Sequence, residues 1–194
     1  MYHNLLQDNK VWIKRAAKLA LFVFVSGFVV FLAKPELLPK FIEILGEIFK
    51  EILGTDELVI SWQSAAAIWR QNLTVGLIAI FLGIIAGLAP IVIVGFNFAV
   101  LGFISGAALF YGGDGGPNFW IFLITILPHG IVEIPALILS AALGLRFGFS
   151  LINREFKKVF VQILQFLPLL AAMFLLAALI EIFITGNLVK LLLE

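Results

Sequence analysis

Long apolar blocks, almost free of charged residues, constrain this sequence more than any single motif does. Five of them cover approximately residues 16–33, 73–94, 98–111, 118–145 and 159–185. An α-helix of about 20 residues crosses a hydrocarbon core roughly 30 Å thick. Because lipid cannot hydrogen-bond the backbone, a segment that crosses it must be a helix or part of a closed barrel. The blocks therefore predict an all-α, polytopic transmembrane helix bundle with about five spans, formed by one integral membrane domain over residues 1–194.

The composition is typical of a membrane protein. Hydrophobic residues make up 62% of the chain and charged residues 13%, which is about half the charged share of an average soluble domain. Cysteine is absent, so neither a disulfide framework nor a thiolate metal site is available. The sequence carries no nucleotide-binding loop, serine triad or ion-filter motif, and nothing in it favours nucleic-acid binding. These observations argue against the common soluble catalytic and nucleic-acid-binding classes.

Glycine, asparagine and proline mark the expected turns between the blocks. Gly95 and Asn97 predict a tight turn that ends the second block, and Asn72 predicts a helix cap at its start. The segment from Gly112 to Pro117 is a clear loop. The third block, residues 98–111, is short for a full crossing, so it either spans the membrane or forms a re-entrant half-helix. The span count is five in the first case and four in the second.

Charge is distributed unevenly along the chain. Basic residues precede the first block, at Lys10, Lys14, Arg15 and Lys18, and the segment 146–158 carries four basic residues against one acid. The segments expected on the other side carry mostly acids. Cytoplasmic loops of membrane proteins are enriched in Lys and Arg. With five crossings, the pattern predicts a multi-pass cell-membrane protein with a cytoplasmic N-terminus and its C-terminus outside.

Residues 37–53 show helical periodicity with one apolar and one charged side. The two sides are the apolar Leu38, Phe41, Leu45, Ile48 and Ile52 and the charged Lys40, Glu43, Glu47 and Lys50. This pattern predicts an amphipathic helix that lies on the outer membrane surface or packs over the bundle. A second short helix is expected over residues 56–70, with Trp62 and Trp69 at interfacial depth.

Small residues recur at every fourth position in three of the blocks. They are Ala79, Gly83 and Gly87, then Gly102 and Gly106, and then Ala136, Ser140, Gly144 and Gly148. Such stripes let neighbouring helix backbones approach closely, which is a main source of attraction between helices in lipid. The pattern predicts a compact bundle, and it favours a homo-oligomer if one stripe packs against a second copy.

Two ionisable residues, His129 and Glu133, lie four positions apart inside the fourth block. On a helix they share one face, and a charged group near the bilayer centre costs at least about 2.5 to 3.5 kcal/mol. Pro128, Gly130 and Pro135 predict a helix break there, either a kink or a fresh helix start. Gly130 is also expected to allow the close approach of another backbone. We therefore expect the pair to face the bundle interior.

Glu181 is a second acid in apolar surroundings, near the end of the fifth block. It can join His129 and Glu133 in one buried polar cluster, for which three interpretations are open. The cluster is a structural tie between helices, a proton or ligand site, or a metal site with open coordination positions. The metal interpretation is the weakest, because His3 is the only other histidine and the spacing lacks the two-histidine signature of zinc hydrolases. The sequence thus predicts no metal, no cofactor and no catalytic residue.

The order of these motifs resembles that of the stage II sporulation protein M family. The resemblance covers about residues 72–185 and is strongest in the run from Leu127 to Ala136, which reads Leu-Pro-His-Gly-Ile-Val-Glu-Ile-Pro-Ala. The namesake of the family is a membrane anchor that recruits peptidoglycan-degrading partners during sporulation, so the resemblance implies a scaffold role. It also implies a polar signature, which consists of Asn72, Asn97, Pro128, His129, Gly130, Glu133 and Glu181.

We therefore expect a non-enzymatic scaffold or assembly factor for membrane or cell-envelope partners, such as cell-envelope remodelling proteins. One alternative is a transporter or channel-like protein with a proton, ion or lipid site at His129 and Glu133. A second alternative is an intramembrane metal-dependent enzyme that uses the same cluster.

Overall fold

The computed structural model describes residues 2–53, 59–110 and 119–193. Its α-helices are α1 (Tyr2–Ala33), α2 (Leu38–Leu53), α3 (Trp62–Phe81), α4 (Leu88–Phe110), α5 (Phe119–Ser150), α6 (Phe156–Leu179) and α7 (Gly186–Leu193). Short 3-10 turns precede α2 and follow α3, and a π-helical segment, Ile180–Thr185, joins α6 to α7. Five of these helices are long and apolar enough to cross a membrane. The predicted all-α bundle with five spans is confirmed.

The connection between the second and third spans lies elsewhere than predicted. The chain turns between α3 and α4 at residues 82–87, where Ala86 and Gly87 adopt positive φ angles of 51° and 72°. The amide of Gly87 donates a hydrogen bond to the carbonyl of Gly83 at 2.7 Å. Glycine has no Cβ and reaches positive φ without strain, so Gly87 serves this turn as well as the packing stripe. The predicted turn at Gly95 and Asn97 is wrong.

Asn97 instead lies in the middle of α4. Its side-chain amide donates to the carbonyl of Ile93, four residues earlier in the same helix, at 2.9 Å. The amide therefore has a hydrogen-bond partner within α4. Because α4 begins at Leu88 rather than at residue 98, the third block has 23 residues. It is therefore long enough for a full crossing, which favours five spans over a re-entrant half-helix.

A single helix replaces the predicted short helix over 56–70 and the cap at Asn72. Helix α3 begins at Trp62. Ser61 caps its N-terminus, because the Ser61 hydroxyl accepts a hydrogen bond from the amide of Ser64 at 3.1 Å. Asn72 lies well inside this helix, so its predicted capping role is wrong. Trp69 is partly buried, and its indole donates to the carbonyl of Ala171 in α6 at 3.1 Å. The segment 54–58 and the predicted loop from Gly112 to Pro117 lie outside the described residues.

Helix α5 runs without interruption from Phe119 to Ser150 and contains Pro128 and Pro135. A fresh helix start at Pro128 is therefore wrong, and the alternative, a kink at Pro128, Gly130 and Pro135, stays a prediction. A proline removes one backbone hydrogen bond, and a membrane-spanning helix tolerates this where neighbouring helices cover the freed carbonyl. A methyl group at Gly130 would meet only Ile126 and Ile134 of the same helix, at 3.6 Å. Gly130 therefore does not admit another backbone.

Close backbone contacts between helices occur at the predicted small-residue stripes. A methyl group built on Gly144 of α5 would overlap the carbonyl of Ala79 in α3, and one built on Gly83 would overlap the backbone of Gly144. In the same way, Gly102 of α4 leaves no room for a methyl group beside the backbone of Phe24 in α1. The compact packing predicted from the spacing is confirmed within a single chain.

Helix α2 crosses one end of the bundle with its apolar side inward, as the periodicity predicted. Phe41 packs on Phe103 of α4 with ring centroids 4.5 Å apart. At its other end, Leu53 packs against the cluster formed by α3 and the segment after α6, which includes Ile68 and Ile182. The charged residues on its outer side are exposed; they are Lys40, Glu43, Glu47, Lys50 and Glu51.

Candidate functional site

Helix α5 and the π-helical segment bring the three predicted cluster residues together. His129, Glu133 and Glu181 each offer one nitrogen or oxygen atom, and these atoms all lie within 4.8 Å of one another. His129 and Glu133 follow one face of α5 at a spacing of four residues, which places their side chains one above the other. Glu181 comes from the neighbouring segment, Ile180–Thr185, which has π-helical geometry. Such π turns are rare and often occur at functional sites.

These three side chains are close but unbonded. Among the described residues, no hydrogen bond or ion pair joins any two of them. The Nδ1 atom of His129 is buried and lacks a hydrogen-bond partner, as does the hydroxyl of Thr185, four residues after Glu181. A buried polar group without a partner costs roughly 1 to 3 kcal/mol. The cluster is therefore not a hydrogen-bonded tie between helices in this structure.

Two cavities meet at Glu133 and Asn97. The smaller one has a volume of about 170 Å³ and lies between α4 and α5, with His129, Glu133 and Asn97 in its wall. The larger one has a volume of about 420 Å³ and reaches α3, where Gln71 and Asn72 line it. Both volumes are large enough for several water molecules. Asn72 and Asn97, which the sequence associated with caps and turns, thus line cavities beside Glu133.

Helix α2 forms part of the wall of the larger cavity. Ile48 and Ile52, from its apolar side, face this space together with Phe174 of α6. The walls are mostly apolar, and Gln71, Asn72, Asn97 and Glu133 are the polar lining residues. A cavity with apolar walls and a few convergent polar groups is the usual form of a ligand site. Gln71 was not identified from the sequence, although its position beside Asn72 was a signal.

The chemistry of the cluster follows from its donor atoms. Imidazole nitrogen and carboxylate oxygen can hold a proton or coordinate a divalent metal ion. The arrangement can therefore bind a cation or share protons, and its cavities leave space for water beside the same groups.

Arg146 forms a second buried polar cluster that was not identified from the sequence. The end of the fourth block at residue 145 and the basic residues of 146–158 predict a cytoplasmic loop there, but α5 continues to Ser150 and the turn before α6 is short. Arg146 is buried, and its guanidinium donates to Asn9 at 2.8 Å and to Gln162 at 2.7 Å. The available signal was the apolar sequence on both sides of Arg146, which places it within the fourth block.

Comparison with known proteins identifies the family. The sequence model described as stage II sporulation protein M matches residues 16–186, a range that includes His129, Glu133, Glu181 and both asparagines. An uncharacterized protein of Methanocaldococcus jannaschii is 34% identical over 135 residues, which cover 64% of this chain and 56% of that protein. The match thus spans little more than half of that relative's length. No solved structure matches the chain. The resemblance seen in the sequence is confirmed: the chain belongs to the stage II sporulation protein M family.

Proposed function

We propose that this membrane protein is a non-enzymatic scaffold that binds a cell-envelope protein through the charged side of α2. The placement of α2 carries this proposal. Its apolar side is held against the bundle by Phe41 and Leu53, while its opposite side exposes Glu43 and Glu47. A helix that is fixed on one side and charged on the other offers a rigid polar surface, which lowers the entropic cost of binding a partner.

The packing of the spans supports a static role. Helices α1 and α4, and likewise α3 and α5, approach so closely at Gly102 and Gly144 that a methyl group would not fit between them. Protein interiors packed in this way resist continuous deformation. A scaffold needs a surface that keeps its shape, whereas alternating access in transporters moves one group of helices against another.

The experiment places a photo-crosslinking amino acid at Glu43 or Glu47 in the full chain, in native membranes. We expect one discrete, heavier product that contains a cell-envelope protein. The control position is Phe22, which is 70% exposed on a membrane-spanning helix and should react with lipid. The E43K/E47K double variant should reduce the amount of copurified partner several-fold, whereas K157E, at an exposed position after α5, should not. Equal products from Phe22 and from α2, or none from α2, would contradict the proposal.

Transport is the second candidate, because Glu133 and Asn97 line two adjoining cavities inside the spans. Ion or proton flux into proteoliposomes that depends on Glu133 would favour this role. An absence of flux under outward and inward gradients would remove it. Homo-oligomerisation stays a prediction, and the small-residue stripes that favoured it are already used between helices of one chain.

A further inference from the structure

We propose that His129, Glu133 and Glu181 bind one first-row divalent metal ion between α5 and the π-helical segment. The sequence alone weighed against a metal, because His3 is the only other histidine and the spacing lacks the two-histidine signature of zinc hydrolases. The fold brings Glu181, about 50 residues further along the chain, within 4.8 Å of the pair, as the predicted cluster requires. This proposal is independent of the scaffold role.

The distances suit a metal site that closes on its ion. Zinc bonds to nitrogen and oxygen are about 2.1 Å long, so ligand atoms around a tetrahedral ion lie about 3.4 Å apart. The three ligand atoms here lie within 4.8 Å of one another. The terminal torsions of glutamate and histidine are broad and soft, so their rotation can bring these atoms closer to a shared ion.

The lack of internal hydrogen bonds points to a bound ligand. If the cluster were only a tie between helices, His129 and one of the carboxylates would hydrogen-bond each other. No such bond occurs among the described residues, and the Nδ1 atom of His129 is buried without a partner. Unsatisfied buried polar atoms in folded proteins often mark an ion or water that completes the site. The charge of a divalent cation would compensate for the desolvation of the two partly buried carboxylates and the imidazole.

The donor set limits which metals fit. One nitrogen and carboxylate oxygens, with no sulfur, match zinc, manganese or ferrous iron, whereas cuprous copper prefers thiolate and thioether ligands. Three protein ligands leave at least one coordination position open. The cavity of about 170 Å³ beside His129 and Glu133 provides space for water or another oxygen ligand at that position.

The test measures metal binding by the full chain in lipid nanodiscs, purified through a tag without histidine and stripped with a chelator. Zinc, manganese and ferrous iron are added separately, and bound metal is quantified by mass spectrometry after desalting. Binding of cobalt is followed by its visible absorption. We expect about one ion per chain for at least one of these metals. The H129A, E133Q and E181Q variants should each weaken binding at least about tenfold, since loss of even an outer-shell partner has that effect.

Two controls separate this site from surface binding and from misfolding. H3A removes the other imidazole and E36Q removes an exposed carboxylate, and both should bind metal as the natural sequence does. The E133Q and E181Q variants keep the size of the side chain, so their metal-free thermal unfolding should stay close to that of the stripped parent. Failure of the parent to retain stoichiometric metal, or equal binding by E181Q, would overturn the proposal. Partner crosslinking at α2 is read separately, so the two proposals can fail independently.

Discussion

Arg146 shows how a single buried charge can join three helices. Its guanidinium lies at the end of α5 and donates to Asn9 of α1 and to Gln162 of α6. Gln162 in turn donates to Asp8 at 2.8 Å. Arginine remains charged in proteins, and its rigid fork of donors suits several acceptors at once. The network therefore fixes how the first, fourth and fifth spans meet at this end.

Replacing Arg146 with methionine should destabilise the protein by about 2 kcal/mol or more, because the buried side-chain oxygens of Asn9 and Gln162 lose their hydrogen-bond donor. For a chain of this size, that corresponds to a fall of roughly 4 °C or more in the midpoint of thermal unfolding. Tryptophan fluorescence in detergent micelles measures this midpoint. K157M removes an exposed charge near the same turn and should have little effect. Equal midpoints for the two variants would show that the network adds no stability.

At the scale of elements, the crossing of α3 and α5 depends on glycines that serve different purposes. Gly83 and Gly144 let the two backbones touch, and Gly148 contacts the turn after α3. Gly87 supplies a positive φ in that same turn. Without a hydrophobic force between helices in lipid, such close contacts supply much of their attraction. The turn and the crossing are thus built from one stretch of small residues.

A methyl group at Gly144 should separate α3 from α5 and cost about 1 to 3 kcal/mol, which is typical of overpacking. G95A is the matched control, because a methyl group there meets nothing within 4 Å. Alanine also favours a helix over glycine, so G95A should be neutral or slightly stabilising. Thermal unfolding of both variants in the same detergent tests this. A G144A protein as stable as G95A would mean that the helices can separate without cost.

At the scale of the whole molecule, the described part of the chain contains five helices of membrane-spanning length. Its N-terminal segment and the turn between α5 and α6 lie at the same end, since Arg146 contacts both Asn9 and Gln162. The basic residues around these two segments therefore share one side of the bundle. Loops rich in Lys and Arg are enriched on the cytoplasmic side, so we predict that this end of the bundle faces the cytoplasm and that the end of the fifth span lies on the other side.

Topology reporters test this orientation directly. We expect green fluorescent protein to fluoresce when it is inserted in the α5–α6 turn, and alkaline phosphatase to be active when it is fused after residue 194. The physical reason is that the first reporter folds in the cytoplasm and the second needs an oxidising compartment for its disulfides. If alkaline phosphatase fused after residue 194 is inactive and green fluorescent protein fused there is fluorescent, the predicted orientation or the number of spans is wrong.

The sequence by itself determined the class, the amphipathic helix and the pairing of His129 with Glu133, and it limited the number of spans to four or five. These properties depend on local composition and on helical periodicity, because lipid selects apolar segments of a given length. The tertiary structure decided where α3 ends, since Gly83 and Gly87 carry turn and packing signals at once. It also decided that Arg146 is buried and that the predicted cluster of Glu181 with His129 and Glu133 forms without internal hydrogen bonds. Both depend on which helix faces become neighbours, and this is set by packing between segments far apart in the chain.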